Sequence, residues 1–390
     1  MMSERKVIID TGNSAVAYAV KDAEAKVIAA YPITPQTTIV EKIAQFIEYG
    51  EMDAKMIRVE SEHSAMAAII GSEAMGVRSF TATSSHGLAL MHEMLWYAAN
   101  ARLPVVMAVA NRTLGPPWNI WADWGDAMAD RDIGWIISWA ANNQEVYDFT
   151  LISYRVAEDK RVALPAMVNL EAFVLTHTSM PFEICGKEAR EFLPEYDPIW
   201  KLDPDDPVIM GNIFSPADTM KLRWDMWESI KRARKVILGA IQEYNEMFNR
   251  DYEGLIKTYR MDDADYAIVS MGTIGEEAEV AVDALREEGL KVGAIRINFF
   301  RPFPREDLVN VLNSVSRIII IERSASLGAY GQILQDLGPT ILLEKLQVDV
   351  NDVFMGIGGT DVSYEDIVNV VKRAIKGELK TLYWYGSENW

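Results

Sequence analysis

Val59-Glu60-Ser61-Glu62-His63-Ser64-Ala65-Met66-Ala67-Ala68-Ile69-Ile70-Gly71 sets two carboxylates just ahead of a run of small and apolar residues. Val59 closes a short strand over 57–59, and Ser61 is placed to cap a helix opening at Glu62. That helix carries Ala65, Met66, Ala68, Ile69 and Ile70 over nearly its whole surface, which predicts a buried helix. A carboxylate at the mouth of a buried helix is costly to desolvate unless it has a partner. Two readings follow for Glu62. It complements the helix dipole as a first-turn acid, or it sits in apolar surroundings that raise its pKa so that it shares a proton with a ring nitrogen.

Outward from this stretch, short apolar strands alternate with helices. A capped helix over 11–22 precedes a strand at 26–31, which ends in Pro32-Ile33-Thr34-Pro35, a loop stiffened by two prolines. A helix over 37–46 follows, with Ile39, Val40, Ile43 and Phe46 on one face. A strand at 78–83 stops at Ser84-Ser85-His86-Gly87, and a long apolar helix covers 88–101. The apolar strand at 104–110 ends in Asn111-Arg112-Thr113. A short strand at 136–138, a helix over 143–158 and a strand at 165–170 complete the unit. Such alternation predicts an α/β fold with a parallel sheet covered on both faces, and ligands in such sheets sit at the carboxyl ends of the strands. Residues 31–35, 60–63, 83–87 and 111–113 all fall at those ends, which favours the functional reading of Glu62.

The character changes after Thr176. Residues 177–216 hold Pro181, Pro194, Pro198, Pro204, Pro207 and Pro216 and little periodicity, predicting a linker or an arm lying on a neighbour. A long charged helix over 217–248 carries Trp224 and Trp227, placed either to dock on a partner chain or to pack on their own domain. A second α/β unit starts near Asp262, with strands at 266–271, 291–297 and 317–321, a rigid turn at 299–304, a loop at 324–331 and helices over 276–288 and 364–376. The predicted divisions are 1–176, 177–261 and 262–390. Gly272 and Gly275 precede a helix, but the spacing lacks the dinucleotide fingerprint, and Glu276 and Glu277 behind them repel an anion. Gly356-Ile357-Gly358-Gly359 is equally weak as a phosphate loop, and the missing fingerprint disfavours a nicotinamide dehydrogenase.

Composition sets further bounds. A chain of 390 residues exceeds one compact core. No run approaches the ~20 apolar residues of a membrane span, and the first residues show no signal-peptide core, so a cytoplasmic location and no membrane contact are expected. The single cysteine, Cys185, rules out an internal disulfide and a CxxC metal or iron–sulfur site. The four histidines, His63, His86, His92 and His177, form no zinc pattern, so no metal ligands are assigned. A net charge of −19 with no basic run argues against nucleic acid. The 19 methionines and 11 tryptophans suit broad buried interfaces as well as an ordinary core.

With these pieces assembled, the chain resembles the alpha subunit of the multi-subunit 2-oxoacid:ferredoxin oxidoreductases, pyruvate synthase type. The resemblance covers almost the whole chain. It rests on Tyr31-Pro32-Ile33-Thr34-Pro35, Glu60-Ser61-Glu62-His63-Ser64-Ala65, Thr81-Ala82-Thr83-Ser84, Gly87-Leu88-Ala89-Leu90-Met91-His92-Glu93, Arg102-Leu103-Pro104, Asn142-Asn143-Gln144-Glu145 and Arg301-Pro302-Phe303-Pro304 in this order.

The resemblance implies a thiamine diphosphate enzyme that decarboxylates a 2-oxoacid, most simply pyruvate, passing the acyl group to coenzyme A and the electrons to ferredoxin. It implies a domain that holds the aminopyrimidine ring, followed by a transketolase-C-like domain. The diphosphate and its Mg²⁺ would be held by a Gly-Asp-Gly motif on a beta subunit, a motif missing here. The [4Fe-4S] clusters would belong to other subunits, with gamma and delta chains completing the complex. By the same resemblance Glu62 bonds the N1′ nitrogen of the aminopyrimidine and favours the imino tautomer that generates the ylide. Glu60 points to the opposite face if the strand persists. Arg112 takes the substrate carboxylate, for which a guanidinium has the right fork, or forms a surface ion pair. Thr34 lies near the substrate carbonyl or merely steadies its loop. Pro32, Ile33, Ser84 and His86 line the cofactor. His86 departs from the family, which often has Gln there; it titrates near the cofactor or fills the same space. The apolar cluster Pro116-Pro117-Trp118-Asn119-Ile120-Trp121 follows Arg112 and shapes the substrate pocket, leaving branched-chain or aryl 2-oxoacids as alternatives. A non-catalytic scaffold subunit is the alternative of another class.

Overall fold

The apolar runs of the first half close into one seven-stranded sheet, and those of the second half into a six-stranded one. The computed structural model describes residues 5–389. Strand β1 (Lys6–Thr11) leads into helix α1 (Gly12–Asp22). Then come β2 (Val27–Ala30), α2 (Thr37–Glu48), β3 (Lys55–Arg58), α3 (Glu62–Ala74), β4 (Ser79–Thr83), α4 (Ser85–Asn100) and β5 (Val106–Asn111). After the single turn α5 (Gly125–Met128) follow β6 (Ile136–Trp139), α6 (Asn143–Ala157), β7 (Ala166–Glu171), β8 (Ser179–Ile184), the turn α7 (Ala189–Phe192) and the long α8 (Pro216–Phe248). The second half holds β9 (Ile256–Tyr259), β10 (Tyr266–Met271), α9 (Gly272–Glu287), β11 (Val292–Ile297), β12 (Phe299–Arg301), α10 (Arg305–Leu312), β13 (Arg317–Glu322), α11 (Gln332–Glu344), β14 (Asp349–Phe354), α12 (Tyr364–Ile375) and β15 (Leu382–Trp384).

The first sheet runs β12-β6-β7-β5-β4-β2-β3 and the second β15-β14-β13-β10-β11-β9. Both are parallel except for one antiparallel edge strand each, β12 against β6 and β9 against β11. Strand β12 is the point of departure from the rigid turn expected at 299–304. Phe299–Arg301 belongs by sequence to the second half but pairs with the first sheet. Phe299 is fully buried there, so apolar burial turns what reads as a loop into a strand that ties the halves together. The paired β1–β8 ribbon was not foreseen either; its register brings Val7 opposite Glu183, and a polar, proline-containing strand of that kind lacks a clean period of two.

Helix α3 is apolar on most sides because it lies between the sheet and α4. Glu62, Ala65, Met66, Ile69, Ile70 and Glu73 are buried, while Gly71 is exposed. Its start is fixed by Ser61, whose hydroxyl accepts the Ser64 amide at 3.2 Å. The proline-rich stretch is fastened to its own chain at two points. The Pro194 carbonyl accepts from Arg78 at 2.8 Å, and the Leu202 amide donates to Ala74 at 2.7 Å. Along α8, Met226 is buried, whereas Trp224 and Trp227 stand in solvent at 62% and 68% exposure. Among the described residues no helix is long and apolar enough to cross a membrane.

Candidate active site

Glu62 lies at the amino end of α3, 7% exposed, and its carboxylate has no hydrogen-bond partner among the described residues. Glu60 faces solvent and accepts from the Ser64 hydroxyl. A strand's period of two would have kept residues 60 and 62 on one face; they part because β3 ends at Arg58 and Glu62 already opens α3. Across from Glu62 is the first turn of α4. A Cβ built on Gly87 would meet Thr83 Oγ1 at 2.4 Å and Glu62 Oε1 at 2.6 Å. The buried Thr83 hydroxyl is likewise without a partner. Two helix amino termini, a lone carboxylate and an unsatisfied hydroxyl thus converge at the carboxyl end of β4, where backbone and side chains leave a hydrogen-bonding group open to a ligand.

Arg112 follows β5 and is 4% exposed, so the surface ion pair is ruled out by burial. Its Nη1 donates to the Thr34 carbonyl, its Nη2 lies 3.2 Å from His86 Nδ1, and its Nε is buried without a partner. Burial pulls the Arg112 pKa down, opposed by the charges of Asp126 and Glu62, which places both carboxylates within its field. The Trp118 indole covers the guanidinium at 4.7 Å and meets the His86 ring edge-on at 5.1 Å. His86 Nε2 accepts from the Gly115 amide at 3.1 Å. Both ring nitrogens thus face N–H donors, and a neutral imidazole can accept from only one of them. His86 is wedged between Arg112 and the loop that follows it, in place of the glutamine the resemblance led us to expect.

The remaining residues fall as follows. Thr34 is exposed and its hydroxyl has no partner among the described residues; its carbonyl is what meets Arg112. Pro32 is exposed and Ile33 half-buried on the same loop. Ser84 is fully buried, and its hydroxyl donates to the Ala110 carbonyl at 2.7 Å, so it fastens β4 to β5 and does not offer a free hydroxyl.

Residues 113–124 connect Arg112 to the second sheet. The Asn119 amide donates to the Gly358 carbonyl at 2.8 Å, and a Cβ on Gly359 would fall 2.1 Å from that of Trp121. The glycines at 356–359 thus admit this loop rather than a phosphate. Glu171, fully buried at the end of β7, accepts from Trp124 Nε1 at 2.7 Å and from the Thr273 hydroxyl, and pairs with Arg323 at 3.4 Å. Gly272 packs against it, with room for no Cβ (2.6 Å to Glu171 Oε1), so that turn too is a packing device. Burial raises the neighbouring Asp123 to about 6.

Sequence reasoning missed Asp126, the hub of the site. It is 2% exposed and accepts from Ser85 N at 2.9 Å, Arg112 N at 3.0 Å, Asn111 Nδ2 at 3.0 Å and Ala127 N at 2.7 Å. Burial outweighs these donors and lifts its pKa to about 7. The signal that was available is an acid inside the aromatic, otherwise apolar run Trp124-Gly125-Asp126-Ala127-Met128. Glu62, Arg112, His86 and the Thr34 carbonyl come together; the arrangement can hold a ring nitrogen at Glu62 and a carboxylate at Arg112.

Two family models match the chain. The one for pyruvate flavodoxin/ferredoxin oxidoreductase, thiamine diphosphate-binding, spans residues 18–241, and the one for pyruvate:ferredoxin oxidoreductase core domain II spans 264–367. The chain is 46% identical over 381 residues to pyruvate synthase subunit PorA of Pyrococcus abyssi, covering 96% of each. It is 46% identical over 388 residues to PorA of Methanocaldococcus jannaschii, covering 99% of this chain and 98% of that one. To ketoisovalerate oxidoreductase subunit VorA of Pyrococcus furiosus it is 45% identical over 388 residues, covering 98% of each. Among solved structures, 2-oxoglutarate:ferredoxin oxidoreductase from Magnetococcus marinus, with 2-oxoglutarate, coenzyme A and succinyl-CoA bound, superposes with a TM-score of 0.72 at 20% identity. The match covers 95% of this chain and 66% of that one. A split-gene transketolase superposes with a TM-score of 0.57 at 13% identity, covering 95% and 99%. These two likenesses show the fold.

Proposed function

The chain belongs to the pyruvate flavodoxin/ferredoxin oxidoreductase family, and from that premise we propose that it is the subunit of a 2-oxoacid:ferredoxin oxidoreductase that holds the aminopyrimidine side of thiamine diphosphate, with pyruvate as substrate. The observation that carries this reading is the buried, unpartnered Glu62 carboxylate within the field of the buried Arg112. When bound, thiamine diphosphate supplies the nucleophilic carbon and the electron sink for decarboxylation. Glu62 holds a proton at the N1′ nitrogen from the mouth of α3. The unsatisfied Thr83 hydroxyl beside it fits a polar ring, and Gly87 leaves the space in which the carboxylate turns toward it. Arg112 receives the substrate carboxylate on the guanidinium edge left free by Trp118, which covers one face. Thr34 meets the substrate carbonyl, Pro32, Ile33 and His86 form the wall around the ring, and Ser84 supports that wall from behind by tying β4 to β5.

This chain carries no Gly-Asp-Gly motif and a single cysteine. The diphosphate, Mg²⁺ and [4Fe-4S] clusters therefore lie, on this reading, on beta, gamma and delta subunits of a cytoplasmic complex that also takes coenzyme A and ferredoxin. Co-expression with a beta chain tests the split site: pyruvate-dependent viologen reduction is expected only from the pair. Glu62→Ala in the assembled complex should abolish turnover; a scaffold subunit would keep it. One observation favours a second substrate, a branched 2-oxoacid: the ketoisovalerate relative is 45% identical, against 46% for the pyruvate one. Rates on pyruvate and 2-oxoisovalerate side by side decide between them.

A further inference from the structure

Strands β4 and β5 are paired only as far as Thr83 and Val109. Beyond that point their chains part, one into Ser85 and α4, the other into Arg112; the Ser84 hydroxyl still ties to the Ala110 carbonyl, but no ladder bond sets the spacing of the Ser85 and Arg112 amides. Asp126 fills that role. One oxygen, Oδ2, accepts both the Ser85 and the Arg112 amides, while Oδ1 accepts Asn111 Nδ2 and the Ala127 amide. Ser85 stands at a φ of +47°, in the left-handed region, with its hydroxyl donated to the Thr113 carbonyl. A non-glycine residue there is strained and persists only where its surroundings hold it. Two residues after Ser85 is Gly87, against which Glu62 rests.

We propose that Asp126 is a positioning residue: through the Ser85 and Arg112 amides it fixes the Arg112 guanidinium relative to the seat of Glu62. Four N–H donors converge on two oxygens, and only a carboxylate accepts all four. An asparagine would turn its own NH₂ toward two of them, so Asp126→Asn is not a conservative change. The inference rests on the reading of Arg112 as the group that binds the substrate carboxylate.

The test uses the assembled complex, with KM for the 2-oxoacid and, independently of turnover, the calorimetric Kd of the unreactive analogue oxamate. Asp126→Asn should raise both by roughly tenfold, since a small misplacement of a positioning group is felt at this scale. Asn111→Ala removes one donor to Asp126, along with its bond to Asn169, while leaving the Ser85 and Arg112 amides as donors, and should move both in the same direction by less. In an Arg112→Met background, Asp126→Asn should add less than about twofold, because its effect runs through Arg112. Asp126→Asn that lowers only the amount of active complex, leaving KM and Kd unchanged, overturns the proposal. So does an effect that multiplies in full on top of Arg112→Met. An Arg112→Met complex with unaltered KM would instead overturn the carboxylate assignment from which the proposal starts.

Discussion

Gly87 and Glu62 share one space: a Cβ on the glycine would stand 2.6 Å from the Glu62 carboxylate oxygen. The first turns of α3 and α4 approach this closely only because one of them has no side chain at that point. Gly87→Ala should therefore evict the carboxylate. The atoms it meets are Thr83 Oγ1 and Glu62 Oε1 and Cγ, so both side chains must change rotamer, and alanine's helix preference of about 1 kcal/mol offsets that strain. Turnover of the assembled complex should fall by more than about tenfold while the thermal midpoint stays near that of the unaltered protein. A variant that unfolds early yet turns over normally would contradict this arrangement.

Trp118 offers a handle on substrate choice. Its indole lies over Arg112 and edge-on to His86, on the loop that Asn119 and Trp121 pin to the 356–359 turn. Trp118→Ala should weaken pyruvate binding modestly and shift kcat/KM toward 2-oxoisovalerate by about tenfold, in line with ~1–3 kcal/mol per methylene in an apolar pocket. The ratio of the two substrates, measured on one preparation, reads this directly.

The alternation of strands and helices in the first half was legible because each strand is short, apolar and bounded by turn residues, and because Ser61 and Glu62 announce a helix start. Glu62, Arg112 and His86 were legible as strand-end residues. What was not legible depends on contacts between distant segments. Phe299–Arg301 is a strand only because an edge of the first sheet is there to receive it. Gly272 and Gly359 read as poor phosphate loops, and nothing local shows that they are close approaches to Glu171 and Trp121. Asp126 is marked locally only as an acid in an apolar run; its four donors come from the start of α4, from the end of β5 and the residue after it, and from its own turn.

Glu322, the last residue of β13, and Asp352, within β14, are both fully buried and feel each other's charge. Asp352 Oδ2 accepts the Gly331 amide at 2.7 Å, while Oδ1 meets no N–H donor, so a proton held between the two acids satisfies it. Burial raises Asp352 to about 6 and Glu322 well above the usual carboxylate range. The unfolded chain gives up these protons near pH 4 and the folded chain only at higher pH. Their contribution to stability is therefore present below pH 4 and is lost as pH rises through 6. Asp123 and Asp126, raised to about 6 and about 7, act in the same sense. The thermal midpoint should fall between pH 5 and pH 8. Asp352→Asn, whose amide can donate to Glu322 and accept from Gly331 at any pH, should raise stability at pH 8 by about 1–2 kcal/mol and flatten the profile. An unchanged slope in that variant would locate the titration elsewhere.

The two halves are also joined by charge. Arg296 of β11 is 2% exposed and donates through Nη2 to Glu145 of α6, itself 4% exposed. Glu145 accepts the Ala141 amide at 2.8 Å with its other oxygen, whereas Arg296 Nε and Nη1 have no partner. Gly275 of α9 rests on the Arg296 side chain, with a would-be Cβ 2.6 Å from Cγ, so the guanidinium is held in place by packing as well as by charge. Removing one member strands the other: Arg296→Met leaves Glu145 buried beside Glu276, and should destabilise the fold by about 3–5 kcal/mol. Glu145→Gln in the same chain removes the stranded charge, and more than half of that loss should return, as for buried pairs replaced by neutral groups of similar size. Denaturant midpoints of the two single variants and the double close the cycle. Additive losses in the double variant would mean that the pair does not act as one unit, and that the junction between the sheets is held by β12 and the Glu171–Arg323 contact instead.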